Sequence, residues 1–298
     1  MMSRVNDDML DELRQCKAMV DERLRQALPG GGGNYSTLLE SMRYSLLDGG
    51  KRIRAALTIK FCEAAGGKPG DALNAACAIE MLHSYTLIHD DLPCMDDDGM
   101  RRGKPSNHIA YGEFTAMLAG DALQAAAFES LLNSELPPER VVKMAKVLAK
   151  AAGAHGVCGG QYLDLSGEGK EHTKEELLEI YSMKTTALFS ASAQMGVFAG
   201  GGTDAQAAAA VEYSKAVGLA FQARDDILDC TSTERELGKP IGSDAENQKT
   251  TLASLLGIEK CEELVEAETE KAIYALKGAF ERAEFLKTLV YYLASRNY

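Results

Sequence analysis

Two acidic runs stand far apart in a chain of 298 residues that is otherwise apolar and helix-forming: Asp90-Asp91-Leu92-Pro93-Cys94-Met95-Asp96 and Asp225-Asp226-Ile227-Leu228-Asp229. Mg2+ takes one or two protein carboxylates and completes its shell with phosphate oxygens and water, so paired runs of this kind suit a metal–diphosphate complex. Cations stand beside them. Arg101, Arg102 and Lys104 follow the first run, with Gly103 and Pro105 shaping their loop, and Gly49-Gly50-Lys51-Arg52-Ile53-Arg54 offers a second anion-binding stretch. Arginine suits bidentate phosphate contacts and lysine supplies a mobile point charge. Taken singly, each acidic run also reads as a solvated helix end and each basic run as a solvated face. Their association favours metal and phosphate binding.

Spacing sharpens the candidates. His83 and Asp90 are seven residues apart, nearly two helical turns, and share one face; Pro93 interrupts the helix so that Asp96 can turn back toward the same opening. Gln222 precedes Asp225 and Asp226 by three and four residues, and Asp229 follows them at the same intervals, placing these polar groups on one helical face. Lys184 and Thr185 interrupt a mainly apolar helix and read as phosphate and cavity residues or as an exposed lysine beside a satisfied threonine. Lys239, between Gly238 and Pro240, is a loop cation suited to neutralising phosphate, and Gln161 with Asp164 would support a basic residue or water. His89 faces away from His83 and reads as a packing residue.

These groups need rigid carriers. Met9, Leu13, Cys16, Val20 and Leu24 recur every three or four residues and form one apolar stripe. Further helices are expected over 36–47, 51–65, 71–89, 114–132, 139–153, 174–199, 205–229, 254–276 and 283–296, with glycine-containing connectors and a polar loop at 232–249. Sustained strand patterning is missing. The expectation is a multilayer all-α body formed by residues 1–298 as a single domain, with each carboxylate run near the end of a helix.

Composition excludes other classes. A formal charge of −12 argues against an extended nucleic-acid surface. The seven cysteines are dispersed without CxxC spacing, as expected of reduced, mostly buried thiols. A polar, acidic start and the lack of a long uninterrupted apolar run point to a cytoplasmic protein without integral membrane association.

In order, GGKRIR at 49–54, EMLHSYTLIHDDLPCMD at 80–96, RRGKP at 101–105, GGQYLDL at 159–165, KTTALF at 184–189 and QARDDILD at 222–229 make the chain similar to the head-to-tail trans-prenyltransferases. The likeness is strongest to short-chain polyprenyl diphosphate synthases of bacterial and plastid type, and it extends across nearly the whole chain. It implies an all-α isoprenoid synthase fold around a central cavity, a homodimer, and three Mg2+ per active site, with Mn2+ as an alternative. By the same resemblance Asp90, Asp91, Asp96, Asp225, Asp226 and Asp229 belong to the metal motifs, and Arg101, Lys184 and Lys239 contact the allylic diphosphate. Gly50, Lys51, Arg54, His83 and Arg102 surround the diphosphate of isopentenyl diphosphate, and Thr185 and Gln222 border the charged hydrocarbon.

The implied reaction condenses isopentenyl diphosphate with dimethylallyl or geranyl diphosphate. Three departures from the family pattern stand out: Ala55 where proline is common, Thr186 where glycine follows Lys-Thr, and Gly242-Ser243-Asp244 without the usual lysine. Tyr85, five residues before the first motif, is placed to limit the growing chain near C15, so farnesyl diphosphate is the expected product, with geranylgeranyl or geranyl diphosphate as the alternative. A terpene cyclase and a non-catalytic helical adaptor compete less well, because neither needs a second diphosphate site.

Overall fold

The computed structural model describes residues 2–28, 30–231 and 250–296. It is all-helical as expected, apart from one β-hairpin with two residues in each strand. The helices are α1 (Met2–Ala27), α2 (Ser36–Leu46), α3 (Ile53–Ala64), α4 (Leu73–Asp90), α5 (Asn107–Tyr111), α6 (Glu113–Leu132), α7 (Pro138–Ala152), α8 (Val157–Ser166), α9 (Lys174–Tyr181), α10 (Ala187–Ala199), α11 (Asp204–Thr231), α12 (Leu252–Leu256), α13 (Ile258–Leu276) and α14 (Glu284–Ala294). None of the described helices is long and apolar enough to cross a membrane.

The chain packs as two compact units. One comprises Leu10–Leu148 with Met195–Gly202. Its centre is α4, which buries Ala75, Ala76, Cys77, Ala78, Ile79, Met81 and Leu82. A helix apolar on all sides belongs in an interior, and α4 packs mainly against α6 and α3. The small residues bring backbones close: a Cβ on Gly196 would lie 2.3 Å from the Thr58 carbonyl oxygen.

The other unit comprises Met1–Met9, Ala149–Gln194 and Thr203–Tyr298. Here α11 packs along α13, and Ala220, Ala223, Ile227, Cys261 and Val265 form a shared apolar cluster with Leu177 and Leu252. Tyr213 is fully buried and satisfies its hydroxyl on the Leu286 carbonyl at 2.8 Å. Capping boxes start two short helices: Thr173 accepts from the Glu176 N–H before α9, and Thr251 from the Ser254 N–H before α12.

Three expected helices differ in detail. The 174–199 segment is divided by a π-helical turn, Ser182–Thr186, between α9 and α10. The 254–276 segment breaks at Gly257, whose φ of 83° ends α12 and begins α13. The 51–65 helix starts only at Ile53, because Arg52 holds a left-handed φ of 53°.

Candidate active site

The first unit gathers four guanidinium groups around one imidazole. Gly49 and Gly50, with φ of 85° and 84°, turn the chain ahead of α3. A Cβ on Gly50 would lie 3.1 Å from the Arg102 guanidinium, so glycine there lets Arg102 lie against the backbone. Arg52 is buried and donates to Asp21 at 2.9 Å, Glu80 at 3.1 Å and the Leu46 carbonyl at 2.6 Å. Glu80 also accepts the Ala55 N–H at 3.2 Å, satisfying one of the unpaired donors in the first turn of α3. Proline has no N–H to give, so the departure at Ala55 contributes a hydrogen bond here.

This scaffold aims Arg54 at His83, with Arg54 Nη1 3.4 Å from His83 Nε2. Arginine is only a donor, so His83 Nε2 accepts and the imidazole is neutral. Burial and then Arg54, Arg102, Arg52 and Arg101 hold the His83 pKa well below 6.5. Burial also lowers Arg54 and Arg102, and each feels the repulsion of neighbouring arginine charge. Crowded, partly desolvated cations of this kind are stabilised by an anion. Lys51 stands at the exposed rim of the cluster.

The first acidic run follows at the end of α4. After Pro93 the chain doubles back: the Asp96 N–H donates to the Asp90 carbonyl at 2.9 Å, and Asp97, at a φ of 51°, donates to Leu92. Arg101 Nε donates to Asp91 at 2.9 Å, and its Nη2 reaches both Asp91 and Asp98. Burial disfavours the Asp91 charge and Arg101 opposes that effect. Arg102 and Gly103, with φ of 54° and 77°, form the tip of the hairpin that pairs Met100–Arg101 with Lys104–Pro105. Positive φ at both central residues is what a tight two-residue hairpin turn requires, and it separates Arg101, on the strand, from Arg102, at the tip.

The second unit holds the other candidates. α8 carries Asp164, which pairs with Lys184 at 2.5 Å. A Cβ on Gly160 would lie 2.3 Å from the Lys184 nitrogen, so only glycine lets α8 approach the π turn this closely. Thr185 donates to Gln222 Oε1 at 3.1 Å. Gln222 Nε2 donates to Asp226 Oδ1 at 3.2 Å. Thr186 packs where a side chain on Gly218 would go, its Oγ1 2.2 Å from that virtual Cβ, so the second family departure is matched by a glycine on α11. Lys184, Thr185, Gln222, Asp226, Asp164 and Tyr181 line a cavity of about 140 Å³.

At the near end of the second acidic run, Arg296 pairs with Asp225, donates to the Phe221 carbonyl at 3.1 Å, and stacks 3.7 Å above the Phe221 ring. Asp229 is buried. Gln161 is also buried, and neither amide atom has a hydrogen-bond partner among the described residues. Lys239, Lys249 and the Gly242-Ser243-Asp244 departure lie outside the described residues. Sequence reasoning did not single out Arg52, Tyr181 or Arg296 as site residues. Arg52 lay inside the glycine–basic run and Tyr181 one turn before Lys184, whereas nothing nearby marked Arg296.

Mg2+ fits the donor chemistry of both acidic runs, which offer hard carboxylate oxygens. Among the described residues no three acidic, histidine or cysteine side chains converge as a complete metal cage.

Comparison with known proteins gives a consistent answer. A family model described as polyprenyl synthetase matches residues 35–291. The chain is 45% identical over 262 residues to "Geranylgeranyl pyrophosphate synthase, chloroplastic" of Capsicum annuum, covering 87% of this chain and 71% of that protein. It is 44% identical to "Geranylgeranyl diphosphate synthase" of Cyanophora paradoxa, covering 91% and 92%. Among solved structures, an FPP/GFPP synthase from Zymomonas mobilis superposes with a TM-score of 0.86 at 32% identity, covering 99% of this chain and 100% of that one. A geranylgeranyl pyrophosphate synthetase from Pyrococcus horikoshii gives 0.89 at 32% identity, covering 97% and 99%. The chain belongs to the polyprenyl synthetase family, has its isoprenoid synthase fold, and is a trans-prenyltransferase.

Proposed function

We propose that the enzyme condenses isopentenyl diphosphate head-to-tail with an allylic diphosphate and carries the chain to C20, geranylgeranyl diphosphate. The observation that supports condensation, rather than ionisation alone, is the Arg54–His83–Arg102 cluster, which adds basic groups beyond the Arg101 that pairs with the first acidic run. A single-substrate cyclase has no use for it. The C20 endpoint is supported by curated relatives at 44–45% identity named as geranylgeranyl synthases. It replaces farnesyl diphosphate as the preferred product.

In this reading Gly50, Lys51, Arg54, His83 and Arg102 hold the isopentenyl diphosphate and orient its alkene. Arg101, Lys184 and Lys239 hold the allylic diphosphate, and Thr185 and Gln222 border the allylic cation left when the carbon–oxygen bond breaks. The alkene attacks that cation and a proton is lost to the released diphosphate. Asp90, Asp91, Asp96, Asp225 and Asp229 would hold Mg2+, which when bound offsets the negative charge growing on the leaving group. Residues 1–298 act as one polyprenyl synthase domain, a reading supported by the family match over 35–291.

A homodimer is part of the proposal. Helix α6 buries one side against α4 yet exposes Phe114, Met117, Leu118 and Leu132, an apolar stripe suited to a second copy. Sedimentation should give a dimer that Phe114→Glu weakens; a monomeric parent protein would contradict this.

A C15 endpoint is the second reading, favoured by Tyr85. The residue is 5% exposed, and its ring meets His89 edge-on at 5.4 Å. Product analysis at matched conversion separates the two. C20 from the parent protein, unchanged in Tyr85→Ala, supports the first. C15 from the parent and from Tyr85→Phe, lengthening to C20 in Tyr85→Ala, supports the second and overturns the first.

A further inference from the structure

Asp226 is 2% exposed, and donors from three elements of its own unit converge on it. Oδ2 accepts the Tyr181 hydroxyl at 2.8 Å, from the end of α9, and the Leu252 N–H at 2.9 Å, from the start of α12. Oδ1 accepts Gln222 Nε2 at 3.2 Å, from one turn earlier on α11. A carboxylate has about four lone-pair sites, so at least three are committed to protein donors. Asp225 differs: its side chain is 42% exposed and pairs with the Arg296 guanidinium.

The arrangement has a direction. With Nε2 committed to Asp226, the Gln222 amide presents Oε1 to Thr185, whose hydroxyl donates to it at 3.1 Å. Turning the amide over would set Gln222 Oε1 against the carboxylate oxygen of Asp226, two acceptors facing each other, whereas the Thr185 hydroxyl can donate or accept. The charge on Asp226 therefore fixes which end of Gln222 faces Thr185, and the Tyr181 hydroxyl with the Leu252 amide fixes Asp226.

We propose that Asp226 is a positioning residue rather than a metal ligand, and that with Tyr181 it sets the polarity of the Gln222–Thr185 pair. The inference rests on the diphosphate-transfer function proposed above. It divides labour within one acidic run: Asp225 and Asp229 serve the metal, and Asp226 orients the two polar side chains of the cavity.

Asp226→Asn tests it, because the introduced amide turns an N–H toward Gln222 or withdraws an acceptor from Tyr181 and Leu252. Adding Gln222→Glu restores the pattern: the new carboxylate accepts from both the introduced amide and the Thr185 hydroxyl, and net charge is conserved. Binding of Mg2+ with inorganic diphosphate is measured by calorimetry, turnover is measured separately, and Asp225→Asn serves as the comparison. The expected result is a turnover loss of about tenfold or more in Asp226→Asn, a smaller loss in Tyr181→Phe, substantial recovery in the double variant, and a Kd within about twofold of the parent throughout. A Kd weakened in Asp226→Asn as much as in Asp225→Asn overturns the proposal, as does a double variant no better than the single one. If the parent protein neither binds Mg2+–diphosphate nor turns over, the functional reading itself fails and the proposal falls with it.

Discussion

Gly160→Ala is the most informative single substitution, because it adds one methyl group against the backbone of the π turn and removes no candidate site side chain. The added Cβ would stand 2.3 Å from the Lys184 nitrogen and 2.7 Å from both Lys184 Cα and the Met183 carbonyl carbon. All three are backbone atoms of the π turn, so no side chain can swing aside. Restoring ordinary contact requires α8 and the turn to separate by about 1 Å, and overpacking of this kind costs about 1–3 kcal/mol. A chain of this size should then lose roughly 2–10 °C in Tm and stay folded. The displacement acts directly on the Lys184–Asp164 pair, now 2.5 Å, and on the Thr185–Gln222 bond, now 3.1 Å. Misplacement by about 1 Å typically costs about 100-fold in rate. Turnover with isopentenyl and geranyl diphosphates should fall by about that factor while circular dichroism remains helical. Gly70→Ala, where nothing lies within 4 Å of the added Cβ, should behave like the parent. Parent-like turnover in Gly160→Ala would refute the claim that close approach of α8 sets the position of Lys184 and Thr185.

Burial and the surrounding arginines depress His83 below its unfolded value of 6.5. Below pH 6.5 the unfolded chain takes up a proton that the folded one refuses, so stability falls by up to about 1.4 kcal/mol per pH unit from this group. Urea midpoints between pH 7 and 5 should fall less steeply in His83→Gln, and an unchanged slope would contradict the neutral imidazole. Asp90→Ala and Asp225→Ala should each lower turnover by about 100-fold or more while retaining helical circular dichroism, since they remove candidate metal oxygens rather than core atoms. Freeing Arg296 in the second variant should cost less than about 1 kcal/mol, because its pair with Asp225 is partly exposed. Near-parent turnover of both variants at limiting Mg2+ would remove the acidic runs from the chemistry.

Periodicity made α1 legible: Met9, Leu13, Cys16, Val20 and Leu24 are all buried, as their spacing requires. The acidic and basic runs were visible for the same local reason, since each gathers its chemistry within a few residues. The π turn was not visible. Residues 174–199 keep a helical pattern across the π turn, and the element that meets that turn, Gly160 on another helix, lies more than twenty residues away in sequence. Gly257 did carry a local signal, but the strong helical pattern on both sides concealed the break. The Arg102–Gly103 hairpin lacks the alternating strands that usually announce one, so its turn was read only as a loop. Partners were the least legible feature: Tyr181 meets Asp226 across 45 residues of sequence and Arg296 meets Asp225 across 71. Neither separation leaves a trace in local pattern.

The central claim is that this chain joins two diphosphate substrates rather than rearranging one. Purified protein with Mg2+, labelled isopentenyl diphosphate and dimethylallyl diphosphate tests it directly. The expected products are linear, label-containing prenyl diphosphates longer than the primer, with one inorganic diphosphate released for each unit added. A cyclic hydrocarbon formed from geranyl or farnesyl diphosphate without incorporation of label, or no product at all from folded protein, would contradict it.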